Sequence, residues 1–549
     1  MPTEPYVQYD VVAFRAILEG FGTERYEDMG FLVELARGMS VRSMLTEGTG
    51  QVGRNSKEYM TEEVQQLDYE DLQGEVREGR AVGPFKVNPF EGGMVAGNLA
   101  VVKDVTGWRI CRDITSSGVN ATIQLNHLVQ TRLGSIERTK RVLRALERVL
   151  AGAGYVWCAK GDIKKAYKTI GTAGEDLYTH VIRVCNPVTG EFEFYISLVH
   201  VFGSRSAGAG FCRVSNALMW VVAQVGYNCD GYVDDSLHLE VTRVLCAGSQ
   251  LFMELLCKRV NCPQQESKRV AACQLCMWLG FEFDMVARQI RIPAAYLAAM
   301  RESIVAGLGN RSWLRVALQS LIGRMARAAA CVWGGSLYVF HLRAALRGKE
   351  QARRVNLGAA AVHELQWWLD VATRWNGVHS WAATDDDALE TRGGTDACDE
   401  GFGGWFWAGP DQLEYFSELF PPGTKARVGM GCMETVGIAA WLCVFGERVR
   451  GGPVALQTDS QVTVDDWTAG RARRSAPMAA ALLAVHREGL LADVRPVLRG
   501  VAGADNVLAD CISRGRLDTW LHSNPASTCV RRVVPQIWLN ALLTGLPAL

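Results

Sequence analysis

The sequence predicts a multidomain α+β protein, and three observations carry that expectation. The chain has 549 residues, too many for one hydrophobic core, so roughly three to five units are expected. Strand-like and helix-like patterns alternate over 155–290 and give way to mainly helical periodicity over 291–390. A new strand-rich segment then opens at GGTDACDEGFGGWFW. With 48% apolar and 21% charged residues, and with no low-complexity tract or internal repeat, the whole chain is expected to fold.

Taken in order, residues 1–80 carry the runs VVAFRAILEGF and MGFLVELARGM, apolar at three-and-four spacing, and a polar, Gly-containing stretch at 45–58. No chemistry is legible there. The turn-rich GPFKVNPFEGG leads into LAVVKD and GWRICRD, two short strand-like runs that read as a hairpin with basic residues. A helix is expected over about 135–150, with Ser135 as N-cap and Ile136, Leu143, Leu146 and Leu150 on one face. Arg141, Arg144 and Arg148 line its other face, either as a solvated surface or as a nucleic-acid track. The final PQIWLNALLTGLPAL reads as a short packing helix.

Lys plus Arg and Asp plus Glu both number 58, so net charge gives no hint of a nucleic-acid partner, and any such hint must be local. The 16 Cys sit mostly in apolar segments, where a free thiol behaves as a small buried hydrophobe, which fits a reducing compartment, cytoplasmic or nuclear. Cys257, Cys262, Cys273 and Cys276 come closest to zinc spacing, but the last pair runs directly into the strand-like MWLGFEFD, so zinc is not expected. The acidic, polar start lacks the basic and apolar regions of a signal peptide. No uninterrupted apolar run is long enough for a membrane span, so no membrane is expected among the partners.

The chemistry lies in acidic residues at strand ends. Asp162 closes YVWCAKGD, and Asp234 and Asp235 stand in GYVDDSLHLE, where a tight turn would join two strands and lift both carboxylates above a sheet. Such carboxylates are the hard oxygen ligands that two-metal nucleotidyl transfer needs. An Asp-Asp at a hairpin is ordinarily turn chemistry alone, and its company decides the matter. Tyr167 lies five residues after Asp162, FGSRSAGAGF occupies 202–211, and QQESKRV with Lys268 precedes the hairpin-like CMWLGFEFD.

This order resembles the palm motifs of reverse transcriptases. The resemblance implies a right-hand polymerase of fingers, palm and thumb. Asp162 and Asp234 would bind both metals, with Asp235 supporting them or joining the ligands. It implies that Tyr167 excludes a ribose 2′-hydroxyl by volume, and that Gly203 lets backbone approach template and nucleotide. Lys268 would serve the leaving pyrophosphate, against the alternative of a solvated surface lysine. Arg109 and Lys103 would grip the nucleotide phosphates from the fingers. Gly208 stands where related retroelement enzymes usually have Pro.

A second set follows. Asp396 sits in the strand before the Gly-rich turns, Glu434 opens METVGIAAWLCVF, Asp459 ends PVALQTD, and Asp510 lies in GADNVLADCISR. In order, spacing and neighbours, including Asn506, Ser513 and Arg514, these resemble an α/β ribonuclease H-like domain, implying four carboxylate metal ligands and cleavage of RNA paired to DNA. One departure is that Gly500-Val501-Ala502-Gly503 replaces a common His-x-x-Gly, which implies slower cleavage.

VREGRAVGPFKVNPF at 76–90 and HELQWWLDVATRWNG at 363–377 resemble the DIRS-type, tyrosine-recombinase retrotransposons. Trp367, Trp368 and Trp375 are read first as packing. The expected division is a helical region to 80, fingers and palm over 81–290, a helical thumb and connection over 291–390, a ribonuclease H-like domain over 391–515, and a tail over 516–549. The implied cofactor is magnesium, with manganese as the alternative. The implied partners are an RNA template, a DNA primer, the RNA-DNA hybrid and deoxynucleoside triphosphates. A catalytically inactive or domesticated RNA-binding scaffold is the competing expectation.

Overall fold

The structure, a computed structural model, describes residues 5–22, 26–41, 61–90, 95–104, 107–115, 117–123, 133–309, 312–332, 334–349, 352–381, 389–470, 475–524 and 528–546. The polar stretch at 45–58 lies outside them. The fold is mixed α+β, and the chain divides into two compact units, Met1–Ala287 and Arg288–Leu549.

In the first unit, helices Val11–Gly20 and Gly30–Arg37 form where the three-and-four spacing placed them. They bury Phe14, Leu18, Phe31, Leu32 and Leu35 in a core shared with helices Arg205–Gln224 and Arg243–Arg259. The helix Ile136–Leu150 begins as expected, with the Ser135 hydroxyl accepting from the Arg138 amide at 3.2 Å. Its Ile136, Leu143 and Leu146 are buried.

Two sheets complete this unit, apart from the hairpin described below. The larger has the spatial order Ala81–Phe85, Phe192–Ser197, Val181–Cys185, Val95–Asp104, Gly107–Asp113. Its first strand falls in a segment expected to be turn-rich. Pro84 lacks an amide donor and is tolerated because the strand lies at the sheet edge, where the register shifts between Val82 and Phe85. The smaller sheet has the order Cys229–Tyr232, Asp235–Glu240, Trp157–Asp162, Val270–Cys273. The hairpin Leu275–Trp278 and Phe281–Asp284 turns through Leu279 and Gly280, both at positive φ, the combination of a type I′ turn.

In the second unit, helices Ala294–Leu308, Arg315–Ala328, Phe340–Leu346 and Ala359–Arg374 account for the helical periodicity of 291–390. Trp368 is fully buried, and Trp367 stacks on Tyr338 with ring centroids 3.8 Å apart, so both tryptophans pack. A six-stranded sheet follows in the order Val494–Gly500, Gly452–Thr458, Thr391–Ala397, Gly401–Gly409, Gln412–Leu419, Thr528–Arg531. Its main core includes Phe402, Phe416, Trp441, Phe445 and Leu456. The helical run Met430–Val449 is long and apolar enough to cross a membrane, and 72% of its most apolar window is buried within the protein.

Residues after 515 differ from the expected tail. Strand Thr528–Arg531 pairs in parallel with Gln412–Leu419, and helix Gln536–Gly545 sends Leu539, Leu542 and Leu543 into the main core. Apolar periodicity signalled that helix, but a four-residue edge strand is too short to reveal its partner.

Candidate active sites

In the first unit, register brings the acids together. Strand Trp157–Asp162 lies between Asp235–Glu240 and Val270–Cys273, and its antiparallel pairing sets Asp162 directly opposite Asp235. Tyr232 also pairs with Asp235, so Val233 and Asp234 form the loop of the hairpin. Val233 sits at φ +57°, a region costly for a β-branched residue and held only where the surroundings impose it. The Ile163 amide donates to the Asp234 carbonyl at 3.0 Å, and the Gln265 amide to the Asp162 carbonyl at 2.8 Å. Gln250, which sequence reasoning missed, donates to the carbonyls of Lys160 (2.7 Å) and Val270 (3.0 Å), tying two strands together.

These carboxylates strain against one another. Burial, then the charges of Asp162 and Asp235, raise the pKa of Asp234. Burial also raises that of Asp235, against the lowering influence of Lys160, 4.0 Å away. Lys268 places Nζ 2.7 Å from Asp162 Oδ2. Burial works against its charge, but Asp162, Asp234 and Asp235 outweigh it and raise its pKa. The donor set suits a hard divalent cation, since carboxylates that resist ionisation together are relieved by positive charge. Here the Lys268 ammonium takes that place against Asp162. The three side chains do not all bring an oxygen within 4.8 Å of one another, as the trio of the second unit does.

Tyr167 lies in a short 3-10 turn, Ala166–Thr169, after Lys165 at φ +53°. Its ring packs 4.8 Å from Phe202 and 6.4 Å from Phe211. Burial, then the charge of Asp234, raises its pKa. A Cβ at Gly208 would stand 3.8 Å from the Tyr167 hydroxyl, so Tyr167, the 202–211 segment and Asp234 share one neighbourhood.

Gly203 is required for a close backbone contact within the unit. It sits at φ +109°, and a Cβ there would lie 2.2 Å from the Arg112 carbonyl oxygen. Arg112 is itself buried against Asp68, with Nη1 to Oδ1 2.5 Å. Gly203→Ala is expected to cost about 1 to 3 kcal/mol through overpacking and backbone strain, read as a lower urea midpoint. An unchanged midpoint would show that this backbone contact yields freely. Lys103 and Arg109 lie on the paired strands Val95–Asp104 and Gly107–Asp113, opposite Trp108 and Val102 respectively, and their side chains fall outside the described residues.

In the second unit, strand Thr391–Ala397 carries Asp396, and its parallel neighbour Gly452–Thr458 delivers Asp459 at its end. Helix Met430–Phe445 presents Glu434 one turn inside its start rather than at its opening. These three bring ligand atoms within 4.8 Å of one another. Glu434 Oε2 is buried without a hydrogen-bond partner. Burial, then Asp396 and Asp459, push the Glu434 carboxyl up to about 9. Burial pushes Asp396 up to about 6 against a hydrogen bond from the Ser513 hydroxyl. An orphaned buried carboxylate oxygen among two further carboxylates fits a divalent cation with oxygen ligands.

Asp510 lies near enough for its charge to raise the Asp396 pKa, and it is engaged by arginines. Its carboxylate accepts from Arg514 Nε at 2.5 Å and Arg516 Nη2 at 3.4 Å, an arrangement that a sequence of single acids could not disclose. Asn506 Nδ2 donates to the Thr395 carbonyl (3.1 Å) and reaches Asp459 Oδ1 (3.5 Å). Helix Val507–Ser513 can seat here because Gly403, cross-strand partner of Asp396, leaves room. A Cβ at Gly403 would meet Ile512 Cγ2 at 2.4 Å. Gly503, in the segment lacking the expected His, lies beside Asp459, with its Cβ position 3.4 Å from Oδ2.

No family model matches the chain, and no curated protein matches it. Among solved structures it is similar to the foamy viral protease-reverse transcriptase. One, a form termed dRH with double-stranded DNA, is 14% identical at TM-score 0.44, over 91% of this chain and 84% of that one. A second, with an RNA/DNA hybrid, is 12% identical at TM-score 0.45, over 91% and 64%. A third, with double-stranded DNA, is 12% identical at TM-score 0.43, over 97% and 99%. Likenesses of this strength carry no weight for the function of this chain.

Proposed function

We propose that this chain is an RNA-directed DNA polymerase with a ribonuclease H activity, from a retroelement of the DIRS type, working in the cytoplasm or nucleus. The observation that carries the reading is the cross-strand register of Asp162 and Asp235, with Asp234 at the hairpin tip and Lys268 against Asp162. Residues 81–290 serve as fingers and palm, 291–390 as thumb and connection, and the sheet that begins near 391 as the nuclease.

Asp162, Asp234 and Asp235 hold magnesium or manganese, which supplies charge neutralisation and activation of the primer hydroxyl when bound. Lys268 keeps its proton at Nζ near the carboxylates, available to the leaving pyrophosphate. Tyr167, wedged by Phe202 and held beside Asp234, fills the space a ribose 2′-hydroxyl would need. Arg109 and Lys103, on the fingers hairpin, are assigned to the triphosphate, and the Gly203 segment to the path of template and nucleotide. In the second unit Asp396, Glu434 and Asp459 hold metal, Asp510 contributes from its arginine pairs, and water attacks the RNA strand of a hybrid.

Purified protein given an annealed RNA template, DNA primer, deoxynucleotides and magnesium should extend the primer. Folded protein that extends none across a range of magnesium and manganese concentrations sinks the polymerase reading. Tyr167→Ala should raise ribonucleotide incorporation relative to deoxynucleotide by roughly tenfold or more, the scale of excluding one small group. Unaltered sugar selectivity would remove Tyr167 from the role of gate.

A further inference from the structure

Apart from both acidic sites, the four-stranded sheet of the first unit holds two thiols that register brings face to face. Cys158 and Cys273 are cross-strand partners, 115 residues apart in sequence, with Sγ atoms 3.7 Å apart. Opposed residues of antiparallel strands have Cα atoms about 4.5 to 5.5 Å apart, within the span a disulfide bridges. Closing to the roughly 2.05 Å of an S–S bond is a matter of side-chain rotation and slight strand adjustment.

The partners differ in access, which sets their roles. Cys158 is fully buried, whereas Cys273 is half-buried. Cys273 also lies near the carbonyls of Cys158 (3.5 Å) and Leu275 (3.2 Å). The hydrogen bond with Cys158 lowers the pKa of the Cys273 thiol from its ordinary value, against burial. A thiolate that meets solvent is the form that reacts with oxidants. Sequence spacing grouped Cys273 with Cys257, Cys262 and Cys276. Cys257 and Cys262 belong instead to the helical core, and the one metal-sized group among the described residues contains no cysteine.

We propose that Cys158 and Cys273 form a redox-active dithiol that small hydroperoxides convert to a disulfide. The Cys273 thiolate attacks the terminal peroxide oxygen, the O–O bond breaks, and the departing hydroxide (from hydrogen peroxide) or alkoxide (from an organic hydroperoxide) takes a proton from solvent. The resulting Cys273 sulfenic acid is attacked by the Cys158 sulfur. An S–S bond forms, and the sulfenic oxygen leaves as water with the Cys158 proton. The two sulfurs together lose two electrons and the peroxide gains two. The bond would join the strand that ends at Asp162 to the strand that starts just after Lys268, linking oxidation state to the geometry of that ion pair.

Peptide mapping of the whole unaltered chain tests this. The protein is exposed to hydrogen peroxide, denatured, alkylated and digested. The expected result is a linked peptide pair containing Cys158 and Cys273, lighter by two hydrogens than its reduced parts and released by dithiothreitol. In Cys158→Ser, dimedone should trap Cys273 as a sulfenic acid and the linked pair should vanish. Recovery of both cysteines in alkylated form, under exposure that oxidises a free-thiol control, overturns the proposal. So does a bond from Cys158 to Cys276. The readout is sulfur chemistry, so it stands or falls separately from the polymerase reading.

Discussion

Asp234→Asn should abolish DNA synthesis while leaving RNA cleavage intact, with primer extension falling by about 10³-fold or more. The magnitude follows from losing a charged metal ligand worth several kcal/mol to the transition state, at about 1.36 kcal/mol for each tenfold. Asparagine suits a tight turn as well as aspartate does, so the loop of Val233 and Asp234 should persist. Stability should move the opposite way from activity. The Asp234 pKa is raised by burial and by its acidic neighbours, so the folded state disfavours its charged form, and stability is lost as pH rises through that carboxyl's titration. A neutral side chain removes the penalty, and in a chelating buffer at neutral pH the variant should unfold at a higher temperature than the parent. Measured extension equal to that of the parent would exclude Asp234 from the reaction. Loss of both activities with a lowered unfolding temperature would mean that the turn, not the chemistry, had been damaged.

What the sequence disclosed and what it withheld divide along physical lines. Local signals were legible because they depend on neighbours in the chain. Ser135 caps its helix, the two N-terminal helices form at their apolar spacing, and the tight turn expected at the Asp-Asp pair forms, over Val233 and Asp234 with Asp235 opening the strand. Asp396, Glu434 and Asp459 stood out because each ends or enters an element whose periodicity is clear, and they do converge. Long-range pairing was not legible. Nothing near Gly203 announces that the Arg112 carbonyl lies against it, and nothing near Asp510 announces that Arg514 and Arg516 both pair with it. The four-residue strand Thr528–Arg531 escaped for the same reason, since edge pairing adds hydrogen bonds without adding a pattern. Cys158 and Cys273 are the extreme case, joined by register alone.

Glu434→Gln should abolish RNA cleavage, by about 10³-fold or more, with primer extension retained. Its effect on stability should change sign with the metal. Without a cation, burial and the charges of Asp396 and Asp459 hold the Glu434 carboxyl at about 9, far above its ordinary 4.5. Its folded pKa exceeds its unfolded one, so the stability it contributes is present below about 4.5 and is lost as pH rises toward 9. At neutral pH that loss is on the order of 3 kcal/mol, at about 1.36 kcal/mol per unit. Glutamine avoids it, needing neither charge nor proton uptake, so in chelator the variant should be the more stable protein. Magnesium reverses the order. Bound among Asp396, Glu434 and Asp459, it stabilises only the folded parent to the full extent of its affinity, and the variant has one charged ligand fewer. Thermal unfolding of both proteins, in chelator and across a magnesium titration, should therefore give curves that cross. Parallel curves, with magnesium raising both midpoints equally, would mean that Glu434 does not bind the ion, and that its orphaned oxygen needs another explanation.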